Sequence, residues 1–294
     1  MTQQVTNAVR EELARRNYSQ ATARTYLSAI GLFAEHFGRS PEQLGREHIQ
    51  QYQTSLVQRG LCPNSIQVQI AALRFLYLKV LRRRYSRDDM PLPKKHRRPI
   101  PLVLSATEVA RLIEAAPSLL YRTILMTLYS TGMRRAELCQ LRPEDIDKER
   151  MVIRIPHGKG DKAREVPLSQ KLLEQLRTYY RSLRRRNGWI FPSRNLSRAA
   201  DPMTEKTVWH ACRAAAQRAG ITKPIHPHTL RHCFATHLLD NGAELPVLQR
   251  LLGHDDPRDT MVYLHLSTRT LRAAPNPLDT LEPSGETDAE QAAS

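Results

Sequence analysis

No stretch of this sequence stays apolar long enough to cross a bilayer as a helix, and no signal-peptide pattern opens it. Both absences argue against membrane insertion and secretion. Cysteine is scarce: Cys62, Cys139, Cys212 and Cys233 lie far apart with no CxxC spacing, which excludes a disulfide framework and a zinc knuckle. A reduced, cytoplasmic protein is expected. The chain also lacks a glycine-rich phosphate loop, an HExxH pattern, an acidic metal triad and any internal repeat. The usual signatures of ATP-driven and metal-dependent catalysis are therefore missing.

Negative charge is the remaining shortage. Against 45 Lys and Arg stand 29 Asp and Glu, a formal charge of +16. Five of those acids (Asp279, Glu282, Glu286, Asp288, Glu290) crowd into residues 275–294, which hold no Lys or Arg, so residues 1–274 carry +21. A pI near 10 on a folded chain is the electrostatic footprint of a polyanion binder, nucleic acid first and an anionic membrane second, the latter weakened by the missing apolar run. No membrane partner is expected.

Hydrophobic spacing divides the chain. In residues 1–81, Tyr26, Ile30, Phe33 and Phe37 repeat at helical intervals, as do Ile49, Tyr52 and Leu56 and then Ile70, Leu73, Tyr77 and Val80. With a helix through Val5, Val9 and Leu13 this predicts a compact helical domain of about four helices. Its outer arginines, Arg24 and Arg74 among them, are candidate phosphate contacts. Residues 82–101 read as a basic, proline-punctuated interdomain linker. Arg82, Arg83, Arg84, Lys94 and Lys95 suit it to lie along a nucleic-acid backbone.

A second domain, 102–272, opens at the capping box Ser105-Ala-Thr-Glu108. A buried helix through Ile124, Leu125, Leu128 and Tyr129 breaks at Gly132 and resumes as MRRAELCQL. Met151–Ile155 and Ala163–Leu168 flank HGKGDK as a β-hairpin with Lys159 in its turn. Helices are expected over Gln170–Arg186 and Thr204–Ala219, with WIFPS between them as a short buried strand or turn. Residues 273–294 form an acidic tail too poor in apolar side chains to fold alone. Leu278 and Leu281 are its one pair able to enter a groove on an adjacent subunit. The expected fold class is mainly α with a small β-hairpin or sheet.

The richest stretch is 225–265. Pro227 suits the first position of a helix, and His228 and Arg231 share a face three residues apart. Gly242 and Gly253 end helices, His254 follows the second, and Asp256-Pro257 is expected to open a third that carries Tyr263. Two imidazoles, a guanidinium and a phenol can hold a phosphate, move a proton and supply an oxygen nucleophile. Alone, each residue reads as ordinary: His232, His237 and His265 suit packing or helix-end hydrogen bonds. His228 and His232, spaced i and i+4, could also hold zinc in a nuclease, although no further ligand spacing supports it.

STGMRRAEL, HGKGDKAREVPL, HPHTLRHCFATHLL, LLGHDD and TMVYLH, in that order, resemble the tyrosine recombinase (phage integrase) family, its Xer-like and integrase branch. The resemblance implies a helical core-binding domain followed by a catalytic domain. It implies Arg134 as the first catalytic arginine, Lys159 as the hairpin lysine, His228 and Arg231 as H-x-x-R, His254 as the later histidine and Tyr263 as the nucleophile. Arg135 and Lys162 beside them suit DNA contact. It further implies a 3′-phosphotyrosine intermediate, cleavage and rejoining without metal or ATP, and a homotetramer on paired sites in the nucleoid, serving a mobile element. Two departures stand out: Ala136 replaces the usual Ser, and prolines 275, 277 and 283 limit the final helix that docks into a neighbour in many relatives. A topoisomerase of the same chemistry and a catalytically silent DNA binder are the alternatives.

Overall fold

The computed structural model describes residues 2–94, 101–156, 163–184, 186–198 and 200–267. Lys95, Lys159, Lys162 and the acidic tail with Leu278 and Leu281 lie outside the described residues. The chain forms two compact units, Met1–Pro99 and Ile100–Ser294.

The described residues of the first unit form four α-helices: α1 (Gln3–Arg15), α2 (Gln20–Phe37), α3 (Arg46–Gln58) and α4 (Pro63–Phe75). Ser19 caps α2 through Thr22 N–H, and Pro63 opens α4 where a missing N–H costs nothing. The apolar stripes meet inside, with Ile30, Phe33, Ile49, Ile70 and Leu73 fully buried. Phe33 is central, edge-on to Tyr52 at 5.1 Å and to Phe37 at 5.5 Å. A π-helical turn, Leu76–Val80, then points Tyr77 inward to donate to Pro41 O at 2.8 Å.

Residues 82–94 contain no helix or strand, yet they are built into this unit. Met90 is fully buried in its core. Arg74 donates to the carbonyls of Arg87 (2.8 Å) and Met90 (2.6 Å). Arg83 donates to Leu44 O at 2.8 Å and to Glu42 O, with its guanidinium over the Tyr77 ring at 5.4 Å. These two guanidiniums staple the segment down, whereas Arg24, Arg82, Arg84 and Lys94 are exposed.

The second unit is α+β. Ser105 and Glu108 form the capping box of α5 (Ala106–Glu114). The central helix α6 (Leu119–Thr131) is buried on nearly every side and packs against α8 (Gln170–Ser182), α9 (Glu205–Arg218) and α10 (Pro227–Asp240). Its buried Thr123, Thr127 and Thr131 donate to the carbonyl four residues back, so no hydroxyl is orphaned. A three-stranded antiparallel sheet, β1 (Ile146–Asp147), β2 (Val152–Ile155) and β3 (Arg164–Pro167), pairs Ile153 with Val166 and with Ile146. The first strand was not foreseen, because two residues carry no readable alternation. The WIFPS stretch is a buried turn: Ile190 and Phe191 are in the core, and Ile190 N–H reaches Leu141 O at 2.8 Å. The short helix α7 (Arg135–Cys139), α11 (Leu245–Leu252) and α12 (Arg258–Met261) complete the unit. The last corrects the sequence expectation. The helix stops at Met261, and Tyr263 sits beyond it in successive turns, its N–H on Thr260 O at 3.0 Å.

Candidate active site

Four chain segments converge in the second unit: the α6–α7 junction, β3, the first turns of α10, and the stretch from the end of α11 through Tyr263. Gly132 ends α6 at φ +60°, a left-handed conformation that a side chain resists. A Cβ there would also lie 2.3 Å from the Phe234 ring. This tight junction aims the Gly132 carbonyl at α10 and places Arg134 at the N-cap of α7.

Arg231 is buried, only 4% exposed. It donates to Gly132 O at 2.6 Å and Leu252 O at 2.7 Å, and a third N–H faces His254 Nε2 at 3.0 Å. Burial depresses its pKa to about 10, with Arg134 next in effect, so the guanidinium remains charged at neutral pH. Arg134 donates to Glu137 Oε1 at 2.8 Å and to Gly253 O at 3.1 Å. Glu137 is shared: Arg164 of β3 grips both its oxygens, at 2.9 and 2.7 Å, and holds Leu251 O at 2.8 Å. Burial of Glu137 opposes ionisation, but these arginines lower its pKa on balance. Two of these guanidiniums bond Glu137 and Arg231 feels its charge, while Asp259 acts on His254 and Tyr263, so the three cations outweigh the carboxylates in a largely desolvated place. Such a surplus calls for an anion.

Three histidines complete the cluster. Arg231 can only donate, so His254 Nε2 accepts and its proton lies on Nδ1, 2.9 Å from Thr260 Oγ1. The His254 ring stacks on Tyr263 at 6.4 Å and 13°. His228 is exposed at the start of α10; lost hydration and then Arg231 lower its pKa. His232, one turn further on, places Nδ1 3.0 Å from the Tyr263 hydroxyl. Tyr263 itself is 2% exposed, its ring in a small apolar cluster with Phe234, Leu239, Leu248 and Leu252. Burial raises the pKa of its hydroxyl, and the charge of Arg231 counteracts that.

The structure therefore assembles Arg134, His228, Arg231, His254 and Tyr263 in one place. The sequence assigns no role to Glu137, Arg164 or Thr260, and reads His232 as packing or as a zinc ligand, not as a partner of Tyr263. Arg164 did leave a signal, since strand alternation puts it on the same face as the buried Val166. His237, by contrast, bridges Tyr129 and Leu104 O as a packing residue, and His265 is exposed. Arg135 is paired with Glu205 at 2.5 Å across two exposed side chains. No group of three or more His, Cys, Asp or Glu among the described residues is placed to hold a metal ion.

The two inward imidazoles have a consequence for stability. Lost hydration, followed by neighbouring histidines or arginines, pushes His232 and His254 down to about 4. Unfolded, both would titrate near pH ~6.5. Above that pH they are neutral in both states and contribute nothing. As pH falls towards 4 the unfolded chain takes up protons that the folded site refuses, so stability drops, levelling off once the folded rings protonate. The combined effect should reach a few kcal/mol, roughly. Melting temperature should fall more between about pH 7 and about pH 4.5 in the native chain than in a His232→Gln, His254→Gln variant. Parallel profiles would mean that neither ring is desolvated.

Residues 103–269 match the phage integrase family, and residues 5–87 match the phage integrase N-terminal SAM-like domain. A putative integrase/recombinase, y4qK, of Sinorhizobium fredii is 43% identical over 273 residues, spanning 92% of this chain and 87% of the relative. The tyrosine recombinase XerD of Staphylococcus saprophyticus is 35% identical over 78% of this chain and 81% of its own. Among solved structures, XerA recombinase aligns with TM-score 0.53 at 30% identity, over 92% of this chain and 96% of that one. XerH recombinase bound to its difH substrate aligns with TM-score 0.68 over 88% and 81%, at 21% identity a likeness of fold. With family matches over both units and relatives of this identity along most of its length, the chain belongs to the phage integrase family and is a tyrosine recombinase.

Proposed function

We propose that this chain cleaves and rejoins double-stranded DNA at specific sites through Tyr263, forming a 3′-phosphotyrosine, and that it serves a mobile element. The observation that carries this reading is the Tyr263 hydroxyl held beside Arg231, a buried guanidinium whose hydrogen-bond partners are neutral. A phosphodiester supplies the missing negative charge at the point where the phenol can attack it. Attack builds charge on the non-bridging oxygens, and Arg134 and Arg231 can each donate forked hydrogen bonds to them. His228 and His254 flank the same position; His254 Nε2 must give up the hydrogen bond it accepts from Arg231 and gain a proton before it can donate to phosphate. Lys159 is assigned the proton for the departing 5′ oxygen. The phosphotyrosine conserves the bond energy, so rejoining requires no ATP.

Both units contribute to the DNA surface in this reading. Arg24, Arg82, Arg84 and Lys94 are exposed on the first, with Arg135 on the second; Lys95 and Lys162 belong to the same proposal on charge alone. Arg74 and Arg83 serve the first unit's own fold. The working assembly is a homotetramer on paired sites, acting in the nucleoid. No helix among the described residues is long and apolar enough to cross a membrane.

The test is recovery of the intermediate. Incubating the protein with DNA of its own genome, stopping with denaturant and capturing the protein should retrieve DNA joined through its 3′ end, and sequencing it reveals the site. Strand exchange between two copies of that site distinguishes recombination from simple relaxation. No covalent DNA under any condition would sink the assignment.

A further inference from the structure

The Tyr263 hydroxyl lies in the field of two guanidiniums, Arg231 and then Arg134, which favours lone pairs on their side and the O–H hydrogen turned away from them. His232 Nδ1 lies 3.0 Å from the same oxygen, with the two rings 5.6 Å apart and tilted by 45°. The hydroxyl hydrogen is thus directed at Nδ1, and the imidazole carries its own hydrogen on Nε2. We propose that His232 is the base that removes the Tyr263 proton as the oxygen attacks the scissile phosphorus. The proposal rests on Tyr263 being the nucleophile.

The step balances. The Tyr263 O–H bond breaks and its proton passes to His232 Nδ1, while the oxygen's electron pair forms the new bond to phosphorus. The bond from phosphorus to the 5′ oxygen breaks, and that oxygen leaves with a proton from Lys159. On rejoining, every transfer reverses and His232 returns its proton to the phenol. His228, by residue type an equal candidate, is exposed four residues earlier on α10 and is left to the phosphate.

The surroundings set the timing. His232 faces His228 and Arg231 on its own helix, His226 at the helix N-cap, and Tyr263 from the segment after α12. Burial and these neighbours hold it at about 4, while the phenol sits above its ordinary value. A base this weak cannot deprotonate the phenol in advance. The proton moves only as the bond to phosphorus forms and the oxygen loses its basicity. An incoming phosphate, being anionic, also strengthens the imidazole as a base. Without DNA in place, the tyrosine stays protonated and unreactive.

Single-turnover adduct formation on the recovered site tests this, comparing His232→Gln and His232→Ala with the native chain and with Tyr263→Phe. Both histidine variants should bind DNA normally but form adduct about 100- to 10,000-fold more slowly. The defect should persist on DNA carrying a bridging sulfur at the 5′ position, because a thiolate leaves without needing a proton. Added imidazole should partly restore His232→Ala and not His232→Gln, whose side chain fills the space. On the sulfur-bridged DNA the Ala variant should gain rate with rising pH while the native chain stays flat. Native-rate or faster cleavage by either variant, a defect that disappears with sulfur, loss of DNA binding in parallel with cleavage, or an Ala variant indifferent to imidazole and pH would each overturn the assignment. Adduct formation by Tyr263→Phe would instead overturn the nucleophile itself.

Discussion

Replacing Tyr263 with phenylalanine is expected to eliminate the covalent protein–DNA adduct while leaving DNA affinity unchanged. Only one oxygen is removed. The ring keeps its place among Phe234, Leu239, Leu248 and Leu252 and its stacking on His254, so the pocket's shape persists. The structural cost is the hydrogen bond to His232, about 1 kcal/mol for a half-buried pair. In a domain of this size that lowers the melting temperature by about 2–4 °C. Folding and DNA binding therefore survive, and a denaturing gel with a nicked substrate reads the chemistry alone. A persisting adduct would move the nucleophile elsewhere.

The second large effect belongs to Arg231→Lys. Charge is conserved, so an account based on net charge alone expects little change. Geometry expects a great deal. Arg231 donates one N–H to Gly132 O and both hydrogens of another nitrogen to Leu252 O and His254, and the bond to His254 is the one a phosphate beside Tyr263 would take over. A lysine has three donors around one nitrogen and cannot span both carbonyls while holding a phosphate. Losing one such donor in a preorganised anion site costs roughly 100- to 1,000-fold in rate. Carbonyls left without partners cost a further 1–3 kcal/mol or so in stability. Cleavage by Arg231→Lys at near the native rate, with an unchanged melting temperature, would remove this residue from the phosphate site.

Much of this architecture could be read from residue order. Helical stripes such as Ile49, Tyr52 and Leu56 announce a buried face because burial follows the 3.6-residue period. Ser105 with Glu108, Pro227, Gly132 and Gly253 mark helix ends because each has a backbone preference that only an end satisfies. Other features depend on where a long side chain goes, which no local pattern determines. Arg24 and Arg74 look alike in sequence, yet one is exposed and the other is spent on the carbonyls of Arg87 and Met90. His232 looked like a packing residue because its partner lies 31 positions away, brought close by the turns after α12. Those turns carry a helical signal in sequence: Pro257 is a fair opening residue, and nothing nearby in the sequence signals a stop at Met261.

The carbonyls that Arg231 binds terminate two helices: Gly132 closes α6, and Leu252 is the last residue of α11. Carbonyls at such ends have no partner within their own helix and carry the negative pole of its dipole. The same guanidinium therefore serves the phosphate and neutralises two poles that the interior could not otherwise accommodate. This makes the reactive machinery unequal under mutational drift. A descendant released from selection for strand cleavage, but still selected to bind DNA, could discard Tyr263 at small expense to folding. Arg231 would be retained, because its loss threatens the protein as well as the reaction. Among silenced descendants of this chain, the arginine should outlast the tyrosine, so a retained arginine is poor testimony to activity and a retained tyrosine is good testimony.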